Sequence, residues 1–146
     1  MGASGWSYIV AYEGDPAAAL AGLRERTFAD EDFYWDDEDD YLGPKPATLA
    51  DFDALRETED YWEVGAHSIL DMDRVIASDA EDHDGTIRQL PEAEARELFG
   101  TTSPTREQFL RVEEAIPDIR RWSGRYQLLY RDGKPTEIAF WGFSGD

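Results

Sequence analysis

Apolar and polar positions change period several times along this chain of 146 residues. Residues 6–12 (WSYIVAY) are dense in aromatic and β-branched side chains and predict a strand. Asp15-Pro16 then supplies an N-cap and a favoured first helical residue. Leu20, Leu23 and Phe28 follow at helical spacing and predict a helix from Pro16 to about Phe28. Residues 30–46 show no period and close on Gly43-Pro44-Lys45-Pro46, so an irregular segment is expected there. Thr48, with Asp51 three residues on, resembles a capping box ahead of Leu49, Phe52 and Leu55, which mark a short second helix.

The second half alternates in the same way. Residues 67–76 (HSILDMDRVI) predict a strand, although their apolar pairs also suit a helix; 77–85 predict a polar loop and 86–90 a short strand. Pro91 opens a helix ending near Phe99, with Gly100 as its stop. Ser103-Pro104 starts another, in which Phe109, Val112 and Ile116 share a face and which Pro117 ends. Asp132-Gly133 lies between the β-rich runs 126–130 and 136–143, the strongest short-range hairpin signal in the chain. Gly142 inside the last run marks a bulge or a close approach by another backbone. The expected fold is α+β: a mixed or antiparallel sheet of about four to five strands, a C-terminal hairpin and about four helices packed on it. Residues 1–146 form one domain.

Composition narrows the function classes. Aromatic residues make up 13% and hydrophobic residues 41%, enough for a packed core, so wholesale disorder is excluded. No run is long and apolar enough to span a bilayer. No basic stretch followed by an apolar one opens the sequence, so a cytoplasmic location without a secretory signal is expected. There are no cysteines, which removes disulfides, thiol chemistry and Cys-based zinc sites. The net charge is −19, and it is lopsided. Residues 1–85 hold 23 acidic and 5 basic side chains, whereas residues 86–146 hold 10 and 9. Direct binding of nucleic acid or anionic membrane needs basic patches and is disfavoured.

The segments 5–15 (GWSYIVAYEGD), 67–76, 96–106 (RELFGTTSPTR) and 140–146 (FWGFSGD) resemble a family of small acidic actinobacterial proteins with no established function. That resemblance implies a whole-chain domain and a bacterial host, and it assigns no catalytic residue. In composition alone the chain also resembles acidic α+β immunity proteins of bacteria.

Peak acidity falls in Asp30, Glu31, Asp32, Phe33, Tyr34, Trp35, Asp36, Asp37, Glu38, Asp39, Asp40 and Tyr41. One reading is a solvated loop anchored by its aromatics. The other is a recognition surface, with aromatic contact area surrounded by carboxylates that speed encounter with a basic partner. That partner would be a toxin, a nuclease or a nucleic-acid-binding protein. No cofactor is implied. Asp79, Glu81, Asp82 and Asp84 before Gly85 hint at a calcium loop, but alignment puts Ala80 at the first ligand position and Pro91 at the twelfth. Asp71 and Asp73 on a strand would share a face, with His67 on that face about 13 Å from Asp71, and make weak metal candidates for a small metal-dependent enzyme. The blander reading sets them facing solvent between buried Leu70 and Met72. Ser68 and Ser144 lack a nucleophile-elbow context. Arg120, Arg121 and Arg125 form the one basic cluster and have the acidic half to pair with. A passive structural subunit is the third reading.

Overall fold

A computed structural model describes residues 4–35 and 42–145. It contains strands β1 (Ser4–Ala11), β2 (Arg74–Ile76), β3 (Thr86–Gln89), β4 (Ser123–Arg131) and β5 (Lys134–Ser144). The helices are α1 (Pro16–Ala29), α2 (Leu49–Arg56), α3 (Tyr61–Val64), α4 (Glu92–Phe99) and α5 (Arg106–Val112), with 3₁₀ turns at Ile69–Asp71 and Glu113–Ala115. One five-stranded sheet runs in the order β1-β5-β4-β3-β2. β1, β5 and β4 are antiparallel neighbours, whereas β4, β3 and β2 run parallel. The expected α+β class, strand number and C-terminal hairpin are all present.

Local chemistry accounts for most element boundaries. Asp15 accepts the Ala17 N–H at 3.0 Å and caps α1. Thr48 accepts the Asp51 N–H at the start of α2. α5 begins later than Ser103-Pro104 suggests, because Thr105 and Gln108 form the reciprocal capping box, at 3.2 and 2.8 Å. In the hairpin, Asp132 (φ 53°) and Gly133 (φ 78°) both take positive φ, the requirement of a type I′ turn. A register shift at Leu129/Tyr130 leaves Thr136 as the extra residue beside Pro135, where a missing N–H is tolerated.

The segment 67–76 departs from expectation. Only Arg74–Ile76 is strand, and Ile69–Asp71 winds into a 3₁₀ turn. Ser68 accepts the Leu70 N–H at 3.1 Å, a local bond that competes with a sheet ladder. Ile69, Leu70, Asp71 and Met72 are all fully buried in succession, an arrangement that a half-exposed strand of period two forbids.

Strand alternation places two cores on the two sheet faces. Leu20, Leu23, Ile69, Met72, Ile87, Tyr126, Ile138 and Phe140 pack beneath α1, and Leu90, Ala95, Phe99, Phe109, Leu129, Ala139 and Trp141 pack beneath α4 and α5. Gly124 and Gly142 pair across β4 and β5 under the Trp6 ring. A Cβ on Gly142 would lie 2.5 Å from the Ser123 carbonyl and 2.7 Å from that ring. This is the close approach the glycine signalled, and it is not a bulge. Gly142→Ala is expected to destabilise the chain by about 1–3 kcal/mol through overpacking, read from the midpoint of denaturant unfolding.

Candidate functional site

A third cluster lies beyond the sheet, around the fully buried Phe52 of α2. Phe28, Phe33, Trp35 and Tyr61 surround its ring at centroid distances of 5.6–6.2 Å, the range of favourable aromatic contact. In the chain leaving α1, Phe33 and Trp35 turn toward Phe52, and Tyr34 turns outward at 48% exposure. Tyr34 stands edge-on to His67, 5.1 Å between centroids, and its N–H donates to the Ala66 carbonyl. The Trp35 indole donates to the Gly43 carbonyl at 3.4 Å. Lys45 sits over the Phe33 ring and pairs with Glu31 at 3.1 Å. The anchoring role thus holds for Phe33 and Trp35, while Asp30, Glu31, Asp32 and Tyr34 are exposed. Asp36, Asp37, Glu38, Asp39, Asp40 and Tyr41 lie outside the described residues.

The lobe around Phe52 is strongly acidic. Residues 28–67 contain 14 acidic side chains and 2 basic ones. Its surface charge is sharpened by where the arginines go. Arg24 and Arg56 are buried. Arg24 grips Asp53 through two bonds, at 2.6 and 3.2 Å, and donates to the Leu70 carbonyl at 3.1 Å. Arg56 donates to the Asp71 carbonyl at 2.9 Å, pairs with Asp73 at 3.4 Å and lies over the Trp62 ring. Two of the five cations in residues 1–85 are therefore internal fasteners, while Asp51, Glu57, Glu59 and Glu63 remain exposed around them.

Asp71 lies directly under this lobe. Its carboxylate accepts from the Tyr61 hydroxyl, from the Ala66 N–H at 2.8 Å and from the Ser144 hydroxyl at 2.5 Å. Ser144 in turn accepts from the Trp6 indole at 3.2 Å. Asp71 and Asp73 do not share a strand face: Asp71 points into a sealed polar network, and Asp73 faces Arg56 and Arg74. The solvent-facing alternative for Asp71 fails for the same reason. His67, with φ 51°, meets Tyr34 edge-on. Among the described residues no cluster of three or more His, Asp or Glu is disposed to hold a metal. Two of the four loop carboxylates are engaged as well: Asp82 receives Arg125 through two bonds of 2.9 Å, with Arg88 at 3.5 Å, and Asp84 pairs with Arg120 at 2.9 Å, while Asp79 and Glu81 are exposed. Ser68 is buried as a backbone cap. What the described arrangement offers chemically is an electrostatic surface on a rigid aromatic base.

Sequence reasoning missed Tyr61, Arg24 and Arg56 as the partners of the Ile69–Asp71 turn. For Arg24 a signal existed, since Leu20, Leu23, Arg24 and Thr27 form one i, i+3, i+4, i+7 stripe, and all four are buried.

Asp71→Ala leaves three donors without an acceptor inside the protein. Each such loss costs about 1–3 kcal/mol, so destabilisation of at least about 3 kcal/mol is expected in equilibrium unfolding. Burial, and then the Asp71 charge, hold the Tyr61 hydroxyl well above the ordinary tyrosine value of 10.0, with Arg56 and Arg24 opposing. Its folded value exceeds its unfolded one, so its contribution to stability is complete below about pH 10 and is lost as pH rises beyond that. Stability measured against pH should fall on the alkaline side, and Tyr61→Phe should flatten that limb.

Comparison with protein-family models, curated proteins and solved structures gives no match to this chain.

Proposed function

We propose that this chain is an acidic protein-binding module that neutralises or regulates a basic partner, in the manner of an immunity protein or inhibitor. The partner class is a toxin, a nuclease or a nucleic-acid-binding protein, whose phosphate-binding groups the carboxylates would occupy. The observation that carries this reading is the segregation of charge around Phe52. There Arg24 and Arg56 are turned inward, and exposed Asp30, Glu31, Asp32, Asp51, Glu57, Glu59 and Glu63 remain outside. An acidic exterior on a fixed aromatic base suits steered encounter with a cationic surface. Tyr34 adds an exposed aromatic ring within the described part of segment 30–41, and aromatic residues are enriched at the energetic centres of interfaces.

The arginine cluster supports the exclusion of nucleic acid as a direct ligand, because Arg120 and Arg125 are engaged by Asp84 and Asp82. No helix among the described residues is long and apolar enough to cross a membrane. A cytoplasmic location belongs to the same proposal.

Affinity capture from the native host at low ionic strength should retain a basic protein that raised salt releases, because exposed charge pairs are screened. Retention of no basic protein sinks the reading. With that partner in hand, joint replacement Glu57→Gln, Glu59→Gln and Glu63→Gln should slow association on the order of tenfold at low salt while leaving the melting temperature unchanged. An unaltered association rate would remove the lobe from the interface.

A further inference from the structure

The two edges of the sheet are guarded very differently. β2 is three residues long and begins with exposed Arg74, the short, charged edge that resists further pairing. β1 is eight residues long and carries no charge and no proline. Its ladder with β5 is regular from Ser4 to Ala11, so no bulge turns it away. Among the described residues β1 pairs with β5 alone.

Hydrogen-bond parity identifies the free groups. Tyr12 donates to the Thr136 carbonyl, and Leu90 of the parallel side donates to the Tyr126 carbonyl. Both bonds assign the even residues of β1 to the β5 ladder, because alternate residues of an antiparallel strand bond to opposite sides. Gly5, Ser7, Ile9 and Ala11 therefore present their N–H and C=O groups to the open edge. A cavity of about 670 Å³ runs beside that edge, lined by Ile9, Val10 and Ala11 and by Ala18, Ala19 and Gly22 of α1. Side chains alternate across a strand, so a cavity touching three consecutive residues follows the backbone edge itself. Its α1 wall combines the small residues Ala18, Ala19 and Gly22 with Arg26, and Glu13 and Asp15 line it as well, so carboxylates outnumber the one cation.

We infer that β1 is a docking edge that accepts an extended segment of the basic partner as a sixth strand. This rests on the function proposed above and adds where and how the partner engages. Backbone bonds to Gly5, Ser7, Ile9 and Ala11 supply affinity, and alternate apolar side chains enter the cavity over Ala18, Ala19 and Gly22. The occupant is cationic. A second copy of this chain would bring another −19 charge against the first, whereas a basic segment is attracted by the whole domain and by Glu13 and Asp15.

The test uses the full chain and the peptide acetyl-Lys-Val-Lys-Val-Lys-Val-Lys-amide at low salt, with amide exchange followed residue by residue. The amides of Gly5, Ser7, Ile9 and Ala11 should gain at least about tenfold protection, and those of Tyr8 and Val10 should change little. Ser7→Pro removes an outward N–H that the fold does not use, so it should keep the melting temperature and lose at least about tenfold in affinity. If that variant does not fold, amide protection in the unaltered chain decides. Binding that protects residues 28–67 instead of β1 overturns the edge and leaves the functional reading standing. No protection of β1 by the Lys peptide also overturns it, while salt-sensitive capture judges the functional reading separately. Equal protection by the corresponding Glu-Val peptide overturns the cationic occupant. A dimer in sedimentation that Ser7→Pro converts to a monomer overturns the partner strand in favour of a second copy.

Discussion

The structure turns on a carboxylate that has no access to water. Asp71 is fully buried, and a buried carboxylate is tolerated only where donors replace its hydration. Here the donors come from Tyr61 in α3, from the Ala66 backbone and from Ser144 at the end of β5. The main chain of the same turn is held by Arg24 and Arg56 through the carbonyls of Leu70 and Asp71. One residue thereby joins the acidic lobe to the last strand and, through Ser144 and Trp6, to the first. The turn must be 3₁₀, since an extended chain would carry this side chain away from at least one of those partners.

The same bonds shape the surface. Drawing Arg24 and Arg56 inward to organise the turn withdraws two cations from an already acidic half. Asp53 and Asp73 are partly neutralised by them, whereas Asp51, Glu57, Glu59 and Glu63 remain exposed. In the loop beside the lobe, where Asp84 lines one hollow with Glu57 and Glu59, the balance is local: Asp82 and Asp84 meet Arg125, Arg88 and Arg120. The imbalance counted between the two halves of the chain is thereby carried on the folded surface by the exposed carboxylates of the lobe. Long-range attraction and short-range docking fall on different elements. The lobe supplies field, and an uncharged strand edge supplies unpaired backbone groups.

Much of the fold was legible in sequence because local chemistry decided it. Asp132-Gly133 dictated its turn through positive φ, Asp15-Pro16 and Thr48 marked helix starts, and Gly100 marked a helix end. Segment 67–76 was not legible as it stands, since its apolar pairs suit a strand as well as a helix. Only contact with Tyr61, Ser144 and two arginines selects the turn. For the candidate site, the acidity of segment 30–41 was plain, and an anchoring role for its aromatics was one of two open readings; which rings turn inward was not legible.

By itself the sequence determined the class of fold, the hairpin and its turn, most helix boundaries and the imbalance of charge between the two halves. These follow from periodicity, capping and counting, which need no knowledge of distant neighbours. Tertiary structure alone decided that Asp71 is a buried hub rather than a surface ligand and that Arg24 and Arg56 face inward. It alone decided that Phe33 and Trp35 anchor while Tyr34 is displayed, and that β1 ends the sheet with an unguarded edge. Each of these depends on partners tens of residues away, and the cost of leaving a buried polar group unpaired is settled only when those partners arrive.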